Sequence, residues 1–549
     1  MPKMIFLAGC VILYLLRKIT DGDIYYFALL VMMALTINSW FFYIRGKVKK
    51  KGQFLKRIKD SRLHRYILSV LILSWFVIFF LMSVGKYHSY NCYMSDLGHM
   101  DQAIWNTTQG RLLEVTSQTY PFGNRTRLSG HVEPVYLIFA LIYTISPDPR
   151  LLLLSKLILL SLSILLIYKI ADELLGDKLQ ACTVATVFAL FPSLQFIALY
   201  DFYGDSLSIP FLLMAYLCYI KKKSMWYFVF IIAALLCKEY VSLAVAGLGV
   251  SLALMHGDKK TGAITFIVGS LYFSCVNWYV IPIFNRGQES FLIEKIFGDI
   301  GGEGGVAGII MFALRNPLSF LGSMITRQNM ENGFYLLFPL FMIPFRSVGY
   351  LCGFLPILFK DLLAGLDIYN HRPAIGLPFL FIAFMYGVKR ETGNEKLKKG
   401  ISTGNLLQLA LIASMLATFM YGPSPLGHRF WRETEKYIPD EHSKAADYIL
   451  KKIPDEVTIA VSAKFAPHLT HRQYCFLFPN AITSENSKLQ EIEYICVDST
   501  AGKSLMTGDT SFSSQTIPRI ESLGFKLQDE KRGIHLFRRK RYVGEFPTP

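Results

Sequence analysis

Charged side chains are scarce in this chain. Asp, Glu, Lys and Arg make up 18% of its 549 residues, against 52% hydrophobic ones. A soluble protein of that length would divide into domains with polar surfaces between them, and this chain lacks the polar stretches to cover them. Acids are scarcer than bases, 40 against 57, for a formal charge of +17. The placement of that charge speaks against nucleic acid as a partner: Lys and Arg gather in short loops between apolar runs, as the positive-inside rule requires. None of the nine cysteines stands in a C-x-x-C pair or at a metal-ligand spacing. Cys182, Cys218, Cys237, Cys275 and Cys352 fall within apolar runs and read as small packing residues. Cys475 and Cys496 lie in a polar tail and form a candidate disulfide if that tail is extracytoplasmic. Internal repeats are missing too, which removes the usual sequence sign of a transporter built from inverted halves.

What the chain has is apolar runs along most of its length, with 42 Phe and 30 Tyr. Such runs mark a polytopic membrane protein. Met4–Leu16 and Tyr25–Ile44 read as two membrane segments rather than a signal peptide, because no small-residue cleavage site follows the first. Residues 45–65 then hold ten Lys or Arg and one acid, Asp60, which assigns that loop to the cytoplasm. Tyr66–Val84 therefore exits outside, and 85–150 becomes the first outer loop. Val135–Ile145 within it is too short to cross and suits the interface. Further spans are expected at Leu151–Ala171, Leu179–Leu199 and Leu207–Ile220. Trp226–Met255 is long for one helix and short for two. Basic residues at Lys221–Lys223 and His256–Lys260 flank it, so an even number of crossings is expected, with Lys238-Glu239 at the outer turn. Ala263–Phe284, Phe334–Phe345, Val348–Ala364, Ala374–Val388 and Leu406–Tyr421 complete the set, with Lys389–Lys399 as a basic inner loop. The outer loop Asn285–Asn332 has a Gly-rich centre, Gly298–Gly305, that reads as a linker or lid because no G-K-[ST] follows it. About thirteen crossings result, with the N-terminus cytoplasmic.

The tail changes character. Ala445–Lys452 and Ile517–Leu523 are helical in pattern, and Val457–Ser462, Tyr494–Val497 and Ile534–Arg538 read as strands. The expected division is 1–65, two helices and a basic loop; 66–421, a membrane module; and 422–549, a small extracytoplasmic α/β domain.

Asp96–Gly110 organises the rest. At about 100° per residue, Leu97, Ile104, Trp105 and Thr108 share one helix face, and Asp101 falls in the same arc. A carboxylate there is costly unless something needs it. Asp96, just ahead of the helix, reads either as an N-cap or as a group free to face a cavity. On the expected topology other outer helix ends carry His131 and Glu133, Asp201 and Asp205, Lys238 and Glu239, and Asp361, Asp367, His371 and Arg372. Ionisable residues at membrane depth are functional or paired. Each also has a plainer reading: Lys238-Glu239 as a mutual pair, His371-Arg372 as head-group anchors, Asp201 and Asp205 as turn residues, His131 and Glu133 as loop fasteners. Together, carboxylates that act as a base or hold a divalent ion, and cations that neutralise phosphate, suit group transfer from a lipid-linked phosphate to a hydroxyl.

The stretch D-L-G-x-x-D-Q-A-x-W-N-T-x-x-G at Asp96–Gly110 resembles the hallmark of a prokaryotic family of polytopic membrane proteins of unknown function. H-x-E-P at His131–Pro134, C-K-E at Cys237–Glu239, N-H-R-P at Asn370–Pro373 and V-S-A-x-x-x-x-P-H-L-x-x-R at Val461–Arg472 follow in the family's order. Members often have His where this chain has Tyr203 and Asp where it has Tyr240. The family is similar to GT-C glycosyltransferases, so the resemblance implies a GT-C-like helical membrane protein of the prokaryotic plasma membrane. The implied activity moves a sugar from a polyprenyl-phosphate donor to a hydroxyl acceptor (glycan, lipid or protein) on the outer side. Asp96, Asp101, His131 and Glu133 are then the catalytic candidates, with Asp96 and Asp101 as ligands for any divalent cation, Mg or Mn. Asp101 is expected to orient Asp96 or a neighbour such as His131. Lys238, His371 and Arg372 would hold the donor phosphate, and Gln102, Asn106, Asp201 and Glu239 would support them. The competing readings are a transporter or flippase of a lipid-linked or small polar solute, and a non-catalytic envelope assembly subunit.

Overall fold

The computed structural model describes residues 63–116, 125–393, 402–482, 489–500 and 515–540. The two N-terminal spans, nearly all of the basic loop after them and most of Lys389–Lys399 lie outside these residues. Helix α1 (Leu63–His88) buries Leu68, Trp75, Phe79 and Met82 along one face. It exposes Tyr66, Val70, Leu73 and Leu81 on the other, as a helix between protein and lipid does. A π turn (Met94–Gly98) leads into α2 (His99–Thr108). A two-stranded ribbon, β1 (Glu114–Val115) with β2 (Arg125–Thr126), precedes α3 (Tyr136–Tyr143). Then come α4 (Pro149–Leu175), α5 (Lys178–Leu190), α6 (Pro192–Leu199), α7 (Gly204–Ile220), α8 (Ser224–Leu235), α9 (Val241–Met255) and α10 (Lys259–Phe284). After α10 the chain forms α11 (Phe291–Phe297), α12 (Gly305–Arg315), α13 (Pro317–Met324), α14 (Arg327–Leu337) and α15 (Leu355–Leu363), then α16 (Leu377–Gly393) and α17 (Thr403–Tyr421).

Among the described residues four helices, α1, α4, α10 and α17, are long and apolar enough to cross a membrane, and up to seven spans result if each of three bent pairs counts as one. Helices α7, α8, α9 and the apolar part of α16 are shorter. Among the described residues, straight spans alone therefore do not supply the about eleven crossings expected there. Trp226–Met255 divides as expected into two short helices, with Cys237, Lys238 and Glu239 in the break. Leu179–Leu199 is bent by 53° at Pro192. The expected outer loop 285–332 is mostly helical: its Gly-rich centre forms two 3-10 turns, packed through Ile293, Phe297 and Ile300 against Val306 and Phe312. Phe334–Phe345 and Val348–Ala364 are not two straight spans, because helix gives way to 3-10 turns around Pro339 and Pro344, with Phe341 and Met342 at positive φ. Proline removes the N–H that a continuing helix needs.

Among the described residues, Lys221–Lys223, His256–Lys260 and the C-terminal half of α16 share one end of the bundle. Tyr216, near the Lys221–Lys223 end of α7, bonds His256 at the end of α9 (3.3 Å) and Tyr386 of α16 (3.1 Å). The opposite end carries the hallmark segment and the C-terminal sheet.

That sheet has the order β4-β3-β5-β7-β6, with β3 (Ile459–Val461), β4 (Cys475–Leu477), β5 (Tyr494–Asp498), β6 (Phe525–Lys531) and β7 (Ile534–Arg539). It is mixed: β3 runs parallel to both β4 and β5, and β7 antiparallel to β5 and β6. Helices α18 (Glu441–Leu450) and α19 (Thr516–Ser522) flank it. Strands β4 and β6 were not expected, the first being three residues long and the second largely polar. Cys475 and Cys496 are free and buried, on strands separated by β3. The suggested disulfide is therefore not formed. One face of the sheet, with Ala446 and Ile449 of α18, also encloses Tyr90 and Met94 from the hallmark side. Burying each such side chain contributes on the order of 1.5–3 kcal/mol, so the sheet's own core fastens it to the bundle.

Candidate functional site

Asp201, in the turn between α6 and α7, sets the hallmark's backbone. Its Oδ2 accepts from Tyr93 N (3.2 Å) and Leu97 N (3.4 Å), and its Oδ1 meets Lys86 Nζ of α1 at 2.5 Å. Asp96 is not an N-cap. It lies within the π turn, half-buried, and its Oδ1 accepts from Tyr203 OH at 2.6 Å and Tyr200 OH at 3.4 Å. Burial, with the Asp201 carboxylate nearby, pushes the Asp96 carboxyl up to about 6, while the two phenols pull the other way. Asp96 is thus a carboxylate with raised basicity near neutral pH.

Tyr203 also lies flat on His371, with ring centroids 3.9 Å apart and planes 7° from parallel. His371 Nδ1 bonds Asp205 Oδ2 at 3.0 Å, and Asp205 Oδ1 meets Lys238 Nζ at 2.7 Å. Lys238 is 3.9 Å from Glu133 Oε1, and the other Glu133 oxygen pairs with Arg127. Close approach of two chain segments makes this possible: a Cβ on Gly204 would stand 2.1 Å from the Cys237 carbonyl, so only glycine lets α7 start against the break that carries Lys238. Burial pulls the His371 imidazole down to about 4 despite Asp205, so the ring is neutral at pH 7. Its Nδ1–H is spent on an acceptor-only carboxylate, which leaves Nε2 as a lone pair.

Glu239 turns away from Lys238. It accepts from Val132 N (3.0 Å) and pairs with His131 Nδ1 (2.7 Å). Arg372 bonds the carbonyls of Ala364 and Gly365, both at 3.2 Å, and its backbone N–H bonds Asn370 Oδ1 in a turn that Asp367 also braces. Asp361 pairs with Lys360 at 2.6 Å, and Lys360 lies 5.1 Å from the Tyr240 ring.

Asp101 is fully buried, as its place on the apolar face required, but it does not orient Asp96 or His131. It accepts from Tyr143 OH (2.7 Å) and Thr470, and pairs with His471 at 3.0 Å. Gln102 bonds Thr116 (2.9 Å) and the carbonyls of Arg472 and Gln473, both 3.2 Å. Asn106 bonds the Glu114 carbonyl (2.9 Å) and accepts from Arg111. Asp101 and Gln102 tie the first loop to the C-terminal segment 470–473, and Asn106 braces the loop itself. Among the described residues no group of three His, Cys, Asp or Glu converges as a metal site, and Asp96 and Asp101 bond separate partners. The donor set here does not fit a resident divalent cation.

Sequence reasoning missed Lys86, Arg127, Tyr200 and Tyr203 as members of this network. Lys86 carried a faint signal, a lone cation at the end of an apolar run. Tyr203 stands where the family resemblance expects His, and its phenol donates to Asp96 as an imidazole N–H can.

Among curated proteins no relative similar to this chain is found. Among solved structures the chain is similar to the arabinofuranosyltransferase AftD from Mycobacteria, determined by single-particle cryo-EM, at 13% identity and a TM-score of 0.44. That alignment covers 87% of this chain and 40% of the other, so the chain spans well under half the length of that protein. At that score the likeness decides nothing about activity. The family described as predicted membrane protein (DUF2079) matches residues 88–522. That stretch holds the hallmark, the helix break, the N-H-R-P turn and most of the sheet, and the chain belongs to this family.

Proposed function

We propose that the protein is a membrane glycosyltransferase that moves a sugar from a polyprenyl-phosphate donor to a hydroxyl acceptor. One observation carries the reading: Tyr203 joins a carboxylate of raised basicity, Asp96, to the His371–Asp205–Lys238 chain at one end of the helices. Glycosyl transfer needs those two functions side by side. The acceptor oxygen attacks the anomeric carbon as its proton passes to Asp96. The bond from that carbon to the phosphate oxygen breaks, and the electron pair leaves with the polyprenyl phosphate. Lys238, buried beside Asp205 and Glu133, is the cation we assign to that phosphate. His371, neutral and with Nε2 open, suits accepting a proton better than holding a phosphate, and Arg372 is spent on backbone carbonyls. We place the site on the extracytoplasmic side, because the basic loops lie at the far end of the bundle, and we take residues from 422 onward as a separate outer domain.

The test is release of polyprenyl phosphate from a polyprenyl-phosphate sugar by the purified protein and by its Asp96→Asn variant. Release by the native protein that is lost in the folded variant supports the reading. No release from any such donor, or equal release by both, sinks it.

A further inference from the structure

A cavity of about 800 Å³ opens where the C-terminal segment meets the end of α1 and the start of α4, and the chemistry proposed above does not use it. Its walls balance in charge: Asp148, Asp447 and Asp455 against Arg150, Lys451 and Arg472. Most of these charges are already engaged. Arg150 closes a fork on Asp148 (2.6–3.0 Å), and Asp447 accepts from Tyr90 OH at 2.6 Å. Arg472 gives Nε and Nη1 to the carbonyls of Leu469, Pro454 and Val457. Lys451 and Asp455, exposed at the rim, are of opposite sign. Among the described residues no cluster of uncompensated cations faces the space, which disfavours a phosphate or polyanion there.

Aromatic rings line the inner wall. His468 lies 4.1 Å from Tyr87 and 4.2 Å from Tyr90, ring centre to ring centre. Burial brings the His468 imidazole down to about 4, so this wall is uncharged at neutral pH. Rings with polar edges, beside paired charges that still have lone pairs and N–H groups to offer, match a ligand with C–H faces and many hydroxyls. The volume lies within the usual range for small-ligand sites, roughly 300–1,000 Å³. The wall is also coupled to the hallmark, because His471 lines the cavity and pairs with Asp101, five residues after Asp96.

We propose that this cavity binds a neutral saccharide and serves as an outer subsite for a glycan acceptor, the second part resting on the glycosyl-transfer reading. The test uses full-length protein in lipid nanodiscs, free of sugar detergents, titrated with maltohexaose, cellohexaose and mannohexaose, and with hexagalacturonate as the anionic control. Rim variants Lys451→Trp and Asp455→Trp obstruct the mouth from exposed positions and leave the core intact. Saturable binding of at least one neutral hexasaccharide is expected, weakened about tenfold or more by either Trp, as blocked access to the inner rings would produce, and unchanged in Asp96→Asn. The proposal is overturned if no neutral hexasaccharide binds, if both Trp variants bind like the native protein, or if hexagalacturonate binds better than every neutral probe. Saccharide binding without donor turnover leaves the cavity site standing and removes the transferase reading. Donor turnover without saccharide binding does the reverse.

Discussion

Tyr203 donates its phenolic proton to Asp96 across 2.6 Å. With the Lys86 charge and the weaker bond from Tyr200, that bond opposes burial and keeps the Asp96 carboxyl near 6 rather than higher. The same ring is stacked on His371, so one side chain sets both the basicity of Asp96 and its distance from the His371–Asp205 pair.

Asp96→Asn keeps the size of the side chain and an oxygen that can accept from Tyr203. The variant is expected to be folded and abundant, with donor turnover lowered by about 10²–10⁴, the usual effect of losing a general base. Turnover within a few-fold of native would move the search for the base to His371.

The acidic limb of the rate profile follows from the raised carboxyl. Asp96 must be ionised to accept a proton, so turnover should rise with pH through about 6 and level off above it. Tyr203→Phe keeps the ring on His371 but removes a bond that favours the carboxylate, so the limb should move to higher pH. A profile flat from pH 5 to 7, or unmoved by Tyr203→Phe, would contradict this assignment.

On the proposed reading Lys238 is the donor-phosphate cation, whereas Arg372 is spent on the Ala364 and Gly365 carbonyls. Lys238→Arg keeps a charge beside Asp205 and Glu133, so the fold should survive, while donor affinity falls about ten- to hundred-fold through loss of a well-placed charged contact. Lys238→Met leaves two buried carboxylates short of a cation and should cost about 3–5 kcal/mol of stability. Arg372→Ala should loosen the turn at Ala364 and Gly365 with donor affinity unchanged. Thermal melting and donor titration of the three variants distinguish these outcomes.

Asp101 is a tether between loop and sheet. Asp101→Asn should reduce stability by about 1–3 kcal/mol, since bonds from Tyr143, Thr470 and His471 all converge on it. Limited proteolysis should then cut the segment around residues 470–473 faster than in the native protein. An unchanged cleavage pattern would show that the remaining contacts, those of Gln102, Tyr90 and Met94 among them, hold the sheet without Asp101.

Orientation is open to labelling in whole cells. Gln528 is exposed on β6, and Gln528→Cys should react with an impermeant maleimide without permeabilisation if the sheet lies outside. Reaction only after permeabilisation would invert the proposed topology.

By itself the sequence determined the class of this protein and where its polar groups concentrate. Long apolar runs and basic loops are local, one-dimensional properties, so the spans α1, α4, α10 and α17 and the break at Lys238-Glu239 were legible from hydropathy alone. The burial of Asp101 was legible from helical spacing for the same reason. Bends at Pro192, Pro317, Pro339 and Pro344 were not, because how far a proline turns a helix depends on what packs beside it. Strand β6 was not, because its polar residues need a partner strand to be held extended. Partnership was the larger gap. Asp96 and Asp101 are five residues apart, yet one meets Tyr203 and the other His471, residues more than a hundred and more than three hundred positions further along. Side-chain pairing at that separation is decided by packing in three dimensions. So the tertiary structure alone gave Asp96 its raised basicity and made Asp101 a tether and Arg372 a turn brace.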